Sequence, residues 1–181
     1  MTAMTNHRFQ CSSCGWYSEP SPTLLECEKC KSPLDITYVA PPNPDLHPTG
    51  WSGHTIPLPL NHQKDLITLG EGNTPIVQLN NVRNRIGADI YVKQEYMNPT
   101  GSFKDRGTSI MISALKAMGI RELVEDSSGN AGASLSAYAA MSNITAHIFV
   151  PESAPAPKIS QIQVYGAIIH KIPGTRDATT E

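Results

Sequence analysis

A lysine set among turn residues, within a helix-opening pattern, is the part of this 181-residue chain best suited to chemistry. Residues 98–107 read Asn-Pro-Thr-Gly-Ser-Phe-Lys-Asp-Arg-Gly, with Lys104 near the centre. Asn98, Pro99 and Gly101 favour a turn, and Ser102 with Asp105 forms a Ser-x-x-Asp capping pattern, so a helix is expected to start at Ser102. Met111, Ile112, Leu115 and Met118 continue at helical spacing as its apolar face. Lys104 then falls in the first turn, at the positive end of the helix dipole, where the ammonium form is disfavoured and a neutral amine becomes more available. A neutral amine can attack a carbonyl group. On residue types alone, a solvated lysine whose stem covers apolar surface is the other reading.

A second stretch, Ser127-Ser-Gly-Asn-Ala-Gly132, consists of small residues ahead of a helical segment. Small side chains let a ligand approach the backbone, and the free N–H groups of the helix that follows cradle a carboxylate. The alternative is an ordinary strand-to-helix turn with a serine cap. The third cluster is Cys11-x-x-Cys14 and Cys27-x-x-Cys30, separated by twelve residues and holding all four cysteines. Two such knuckles read as a closed, tetrahedral four-cysteine zinc site, structural because no coordination position stays open for substrate. Two disulfides are the alternative, which a reducing compartment disfavours.

These groups need elements to hold them. Residues 1–40 are expected to form a zinc-ribbon-like module with Trp16, Tyr17, Leu24, Leu25, Ile36 and Tyr38 packed around the knuckles, too small to fold without its metal. Six prolines between Pro41 and Pro59, with Gly50 and Gly53, make residues 41–65 a linker or a draped arm, anchored by Trp51. His47, His54 and His62 lack metal-ligand spacing. From residue 66 an α/β region begins: a helix at 80–86, a strand at 89–95 that delivers the Lys104 loop, then strands at 122–125, 145–150 and 167–172 alternating with helices at 130–141 and 158–165. Strands that alternate with helices predict a parallel sheet, whose ligands gather beyond the carboxyl ends of the strands.

Composition limits the function classes. With 39% hydrophobic and 17% charged residues the chain suits a moderate globular domain plus a small appendage. Fourteen basic against sixteen acidic residues offer no surplus for a nucleic-acid backbone. No apolar run is long enough to span a membrane and no secretory signal opens the chain, so a cytoplasmic location is expected.

Three stretches in one order carry a family resemblance: Gly70-Glu-Gly-Asn-Thr-Pro75, the Lys104 stretch, and Ser127-Ser-Gly-Asn-Ala-Gly132. Together they resemble the pyridoxal-phosphate enzymes of the tryptophan synthase β-subunit type, fold type II, and above all the threonine synthases. The likeness covers about residues 66–177. It implies that Lys104 attaches pyridoxal 5′-phosphate through its amine and later moves protons as general acid and base, that Phe103 packs against the cofactor ring unless it is a core aromatic, and that Asn130 bonds the cofactor's phenolic oxygen. It implies that Ser127, Ser128, Gly129 and Ala131 grip the α-carboxylate of a small amino-acid substrate. The implied reaction converts O-phospho-L-homoserine and water to L-threonine and phosphate. A serine or threonine dehydratase is the runner-up, although the ribbon, the Gly70–Pro75 loop and Asp105-Arg106-Gly107 favour the synthase. The likeness spans roughly the first half of a catalytic chain, so a later glycine-rich phosphate loop and a partner for the pyridine nitrogen have no counterpart here. From that follow two further expectations: a homo-oligomer or a complementing C-terminal chain, and, as the contrasting class, an inactive zinc-stabilised binding module.

Overall fold

A computed structural model of the chain describes residues 6–41, 43, 45, 46 and 57–180; Trp51, His47 and His54 lie outside them. The N-terminal segment is a three-stranded antiparallel sheet in which β1 (His7–Cys11) lies between β2 (Tyr17–Ser18) and β3 (Leu34–Tyr38). The two Cys-x-x-Cys turns have the same backbone. In each, the residue four places after the first cysteine (Gly15, Lys31) adopts positive φ. Its N–H bonds back to the carbonyl of that cysteine, Cys11 or Cys27. The expected apolar packing around the knuckles is found only in part: Trp16, Leu24 and Tyr38 are half-buried, with the Tyr38 ring 6.3 Å from that of buried His7, whereas Tyr17, Leu25 and Ile36 are exposed. Strands this short leave little interior to fill, so the Tyr17 ring lies outside, with the Arg8 guanidinium 4.5 Å from its centre.

Only residues 41, 43, 45, 46 and 57–65 of the proline-rich arm are among those described. Leu46, Leu58 and Leu60 are buried together against Leu66, Ile110 and Ala114, and the Asn6 side chain donates to the Leu58 and Leu60 carbonyls, tying the ribbon to the arm. Next come β4 (Ile76–Gln78), α1 (Asn80–Ile86) and β5 (Tyr91–Lys93); β4 and β5 form an antiparallel pair separate from the main sheet. The expected strand over 89–95 is shorter because the chain folds into a 3-10 turn at Glu95–Met97.

Helix α2 (Lys104–Ala117) starts two residues later than expected, and the Ser102–Asp105 capping box does not form. The Asp105 carboxylate instead accepts from the Thr100 N–H and hydroxyl, while the Ser102 hydroxyl accepts from the Lys104 N–H at 3.2 Å. The buried face of α2 also differs from the Met111–Leu115–Met118 stripe. It comprises Asp105, Thr108, Ser109, Ile112 and Ser113, and Met111 is exposed. Two hydroxyls explain the choice: Ser109 donates to the Ile67 carbonyl at 2.6 Å, and Ser113 accepts from the Ile67 N–H at 2.7 Å. Both backbone groups of a passing segment are thereby satisfied.

The parallel sheet has three strands in the order β6 (Glu122–Glu125), β7 (Thr145–Pro151), β8 (Ile168–Ile172). They are joined by α3 (Asn130–Ser142) and α4 (Ala156–Val164), and α5 (Asp177–Thr180) follows. The main core gathers Ile112, Leu135, Tyr138, Ile144, Ile148, Val150, Ile159 and Ile162 between helices and sheet. Among the described residues no helix is long and apolar enough to cross a membrane.

Helix α3 packs closely on the turn before it. A Cβ built on Gly132 would stand 2.0 Å from the Ser127 carbonyl oxygen and 3.2 Å from Ile162. The Gly132→Ala variant is therefore expected to lose at least about 1–3 kcal/mol, seen as a lower urea midpoint, because the atom it strikes is backbone and cannot swing away.

Candidate active site

Two helix starts and one strand end meet at the carboxyl edge of the parallel sheet. Lys104 is the first residue of α2, and the preceding turn places the Phe103 ring 5.0 Å from its Nζ. Phe103 is 56% exposed, so it is not a core aromatic. Residues 126–129 bend from β6 into α3, with the Gly129 N–H donating to the Ser127 hydroxyl at 3.3 Å. Ser127, Ser128 and Gly129 are half-buried in that bend, and Asn130 opens the helix.

Between the two helices lies a cavity of about 350 Å³ lined by Lys104, Gly107, Thr108, Met111, Glu125, Ala131 and Leu135. That volume is in the range of small-ligand pockets. Gly107 has open space where a Cβ would stand. The cavity thus brings Lys104 and Ala131 together, while Asn130 sits apart from its wall, its Oδ1 accepting from Lys158 Nζ at 2.9 Å. Glu125, in the cavity wall, and Lys158, which holds the Asn130 side chain, are not among the residues the sequence singles out. In sequence Glu125 closes the strand at 122–125 and Lys158 opens the helix at 158–165, and neither position signals a contact with the start of α3.

A web of polar contacts holds the arrangement. Asp105, fully buried, accepts from Thr100 and, at 2.6 Å, from the Ser134 hydroxyl on α3, which fixes the start of α2 against α3. Arg106 donates to both oxygens of Glu95 at 2.9 Å and to the Thr74 hydroxyl, Thr74 donates to Glu95, and the Gly72 N–H donates to Asn98 Oδ1. Glu71, also buried, accepts from Thr68, from the Leu69 N–H and from Tyr138 on α3. The Gly70–Pro75 loop, to which the sequence reading gave no individual roles, is therefore clamped to both helices.

At the other end of the chain, the sulfurs of Cys11, Cys14, Cys27 and Cys30 lie within 4.8 Å of one another, with Cys11 to Cys30 at 3.4 Å and Cys14 to Cys27 at 3.6 Å. All four are free thiols, and a tetrahedron of sulfurs about 2.3 Å from a zinc ion has edges of about 3.8 Å, so the donor set fits a metal.

The pyridoxal-phosphate dependent enzyme family matches residues 67–181, and the chain belongs to that family. Within it, the chain is similar to threonine synthases. It is 40% identical over 121 residues to threonine synthase from Halalkalibacterium halodurans, covering 66% of this chain and 34% of the relative. It is 32% identical over 178 residues to threonine synthase from Methanocaldococcus jannaschii, covering 93% of this chain and 44% of the relative. Among solved structures, serine racemase from Dictyostelium discoideum superposes with a TM-score of 0.53 at 33% identity, over 59% of this chain and 35% of that one. The chain spans less than half the length of each of these proteins.

The clamp has a pH signature. Hydrogen bonding from Arg106 holds the Glu95 carboxyl down at about 2, against desolvation and with help from Thr74 and Asn98. A carboxyl lowered in the folded state adds stability above its unfolded value, 4.5, and that stability fades as pH falls from there toward about 2. Glu95→Gln is expected to cost about 2 kcal/mol near neutrality. Thermal unfolding followed across pH should show the wild-type and variant curves converging in acid.

Proposed function

We propose that this chain provides the lysine-bearing part of a threonine synthase-like enzyme of fold type II, acting on O-phospho-L-homoserine and water to give L-threonine and phosphate. The observation that carries the reading is the cavity shared by Lys104 and the start of α3 at the sheet's carboxyl edge. An amine, an open wall at Gly107 and a helix start for an anion fit pyridoxal 5′-phosphate with an amino-acid substrate. Bound there, the cofactor supplies an electron sink for carbanions at the substrate's α-carbon.

The chain's own residues do the rest. Lys104 holds the cofactor through Nζ and, once released from it, accepts and returns protons at that atom. Phe103, exposed beside Nζ, offers a face for the ring. Asn130, whose Oδ1 accepts from Lys158, would have to turn its Nδ2 toward the cavity to reach the phenolic oxygen. Ser127, Ser128, Gly129 and Ala131 present hydroxyls and N–H groups to the α-carboxylate. The four cysteines hold a structural zinc ion that folds the ribbon. The match to the Methanocaldococcus jannaschii enzyme over 93% of this chain favours the synthase, because it takes in most of the ribbon segment as well. The likeness to serine racemase supports a second reading, a dehydratase-like lyase on serine or threonine.

The exposed sheet face around Val124, 71% exposed, suits a second copy or a complementing C-terminal chain, and we place the protein in the cytoplasm.

Borohydride reduction of the purified chain with pyridoxal phosphate, followed by peptide mapping, tests the assignment. Label is expected on Lys104 and lost in Lys104→Ala; uniform label over all lysines would overturn it. Where turnover follows, phosphate release from phosphohomoserine marks the synthase and 2-oxo acid from serine or threonine marks the lyase. Metal analysis should find one zinc per chain. Cys27→Ser or a strong chelator should remove it and lower the unfolding temperature of the ribbon; a metal-free chain of unchanged stability would contradict the assignment.

A further inference from the structure

We propose that Glu125, a residue in the wall of the same cavity, is the proton-exchange partner of Lys104, a positioning residue whose carboxyl takes up the proton that the lysine amine must release before it can react. The inference rests on the reading of Lys104 as the reactive amine.

Glu125 is the last residue of β6, where the strand turns toward the start of α3. It lines the cavity of about 350 Å³ together with Lys104, Gly107 and Thr108. It also lines a larger one of about 610 Å³, walled by Phe149, Ile172, Thr179 and Thr180. Glu125 therefore stands where two hollows meet, half-buried, with Val124, Phe149 and Ile172 among the residues around the larger one. Three charged groups act on it: Asp126 in its own loop, Arg176 from the segment ahead of α5, and Lys104 from α2. Burial, then Asp126, pushes the Glu125 carboxyl above the ordinary carboxylate range, and Arg176 and Lys104 pull it back. Asp126 is itself held by the Thr180 hydroxyl at 2.7 Å.

A carboxyl so placed titrates closer to working pH than a surface glutamate, the condition for efficient proton exchange. In the exchange the proton leaves Nζ, the lone pair remains on nitrogen, and the same proton binds a Glu125 oxygen. The ammonium–carboxylate pair becomes an amine–carboxylic acid pair with no change in total charge.

The test follows Lys104 itself. The chain, without added cofactor, is labelled with limiting acetic anhydride across the acid-to-alkaline range, and acetylation of Lys104 is read by peptide mass. In the wild type the logarithm of the rate should rise with pH and then break where Glu125 ionises, above the ordinary carboxylate range, because the carboxylate then holds the ammonium form. In Glu125→Gln the break should vanish. Glu125→Asp should retain a break. Arg176→Gln, which leaves the carboxyl untouched, should move the break to higher pH, and it carries the test if Glu125→Gln fails to fold. A break that persists in Glu125→Gln, or one that Arg176→Gln leaves in place, overturns the proposal. Failure of pyridoxal phosphate to label Lys104 while the break is present overturns the functional reading alone; specific cofactor labelling without any break overturns the pairing alone.

Discussion

The carboxylate of Asp105 is fully buried, and it accepts from the N–H and hydroxyl of Thr100 and from the hydroxyl of Ser134. A buried charge costs several kcal/mol unless its lone pairs are met, so none of these donors can drift without exposing the whole penalty. The consequence is positional. The turn before α2, the first turn of α2 and the middle of α3 share one anchor, and Lys104, the residue next to Asp105, is held by it through the backbone while its own side chain faces the cavity. The Glu95–Arg106 pair and the Glu71–Tyr138 bond then fasten the Gly70–Pro75 loop to the same two helices. Three segments far apart in sequence become one rigid frame around a hollow.

Much of the fold could be read from periodicity. The order of strands and helices from Glu122 to Ile172 matches within two residues at every boundary, because short β-branched runs between turn residues leave little ambiguity. The start of α2 was less legible. Ser102 and Asp105 have the spacing of a capping box, but Thr100 lies just upstream with both an N–H and a hydroxyl, and Asp105 turns to it instead. The buried face of α2 was illegible for a related reason. Serine counts as polar in any pattern, yet Ser109 and Ser113 are buried to satisfy the backbone of Ile67, a partner more than forty residues away.

The site was legible only in part. The lysine and the small-residue turn stand out because their types are unusual for their positions, and the cavity between them was expected where strands end. Glu125 and Lys158 do not stand out: a glutamate closing a strand and a lysine on an exposed helix are the commonest of residues, and only the packing shows what they face. The cysteine knuckles were the most legible feature, since their common turn is a local backbone event with Gly15 in one copy and Lys31 in the other. The packing expected around them is only partial, with Trp16, Leu24 and Tyr38 half-buried and Tyr17, Leu25 and Ile36 exposed, because a sheet of three short strands has little interior to receive more.

Helix α3 buries nine of its thirteen residues, and of those nine all but Leu135 and Tyr138 are glycine, alanine or serine. Burial usually freezes rotamers, at up to about 2 kcal/mol for a long side chain, but alanine and glycine have none to lose and serine has few. The helix that aims its N-terminus at the cavity is therefore immobilised at almost no side-chain entropic cost. Its end needs no ordering when a ligand arrives, so an anion bound there keeps nearly all of the interaction free energy.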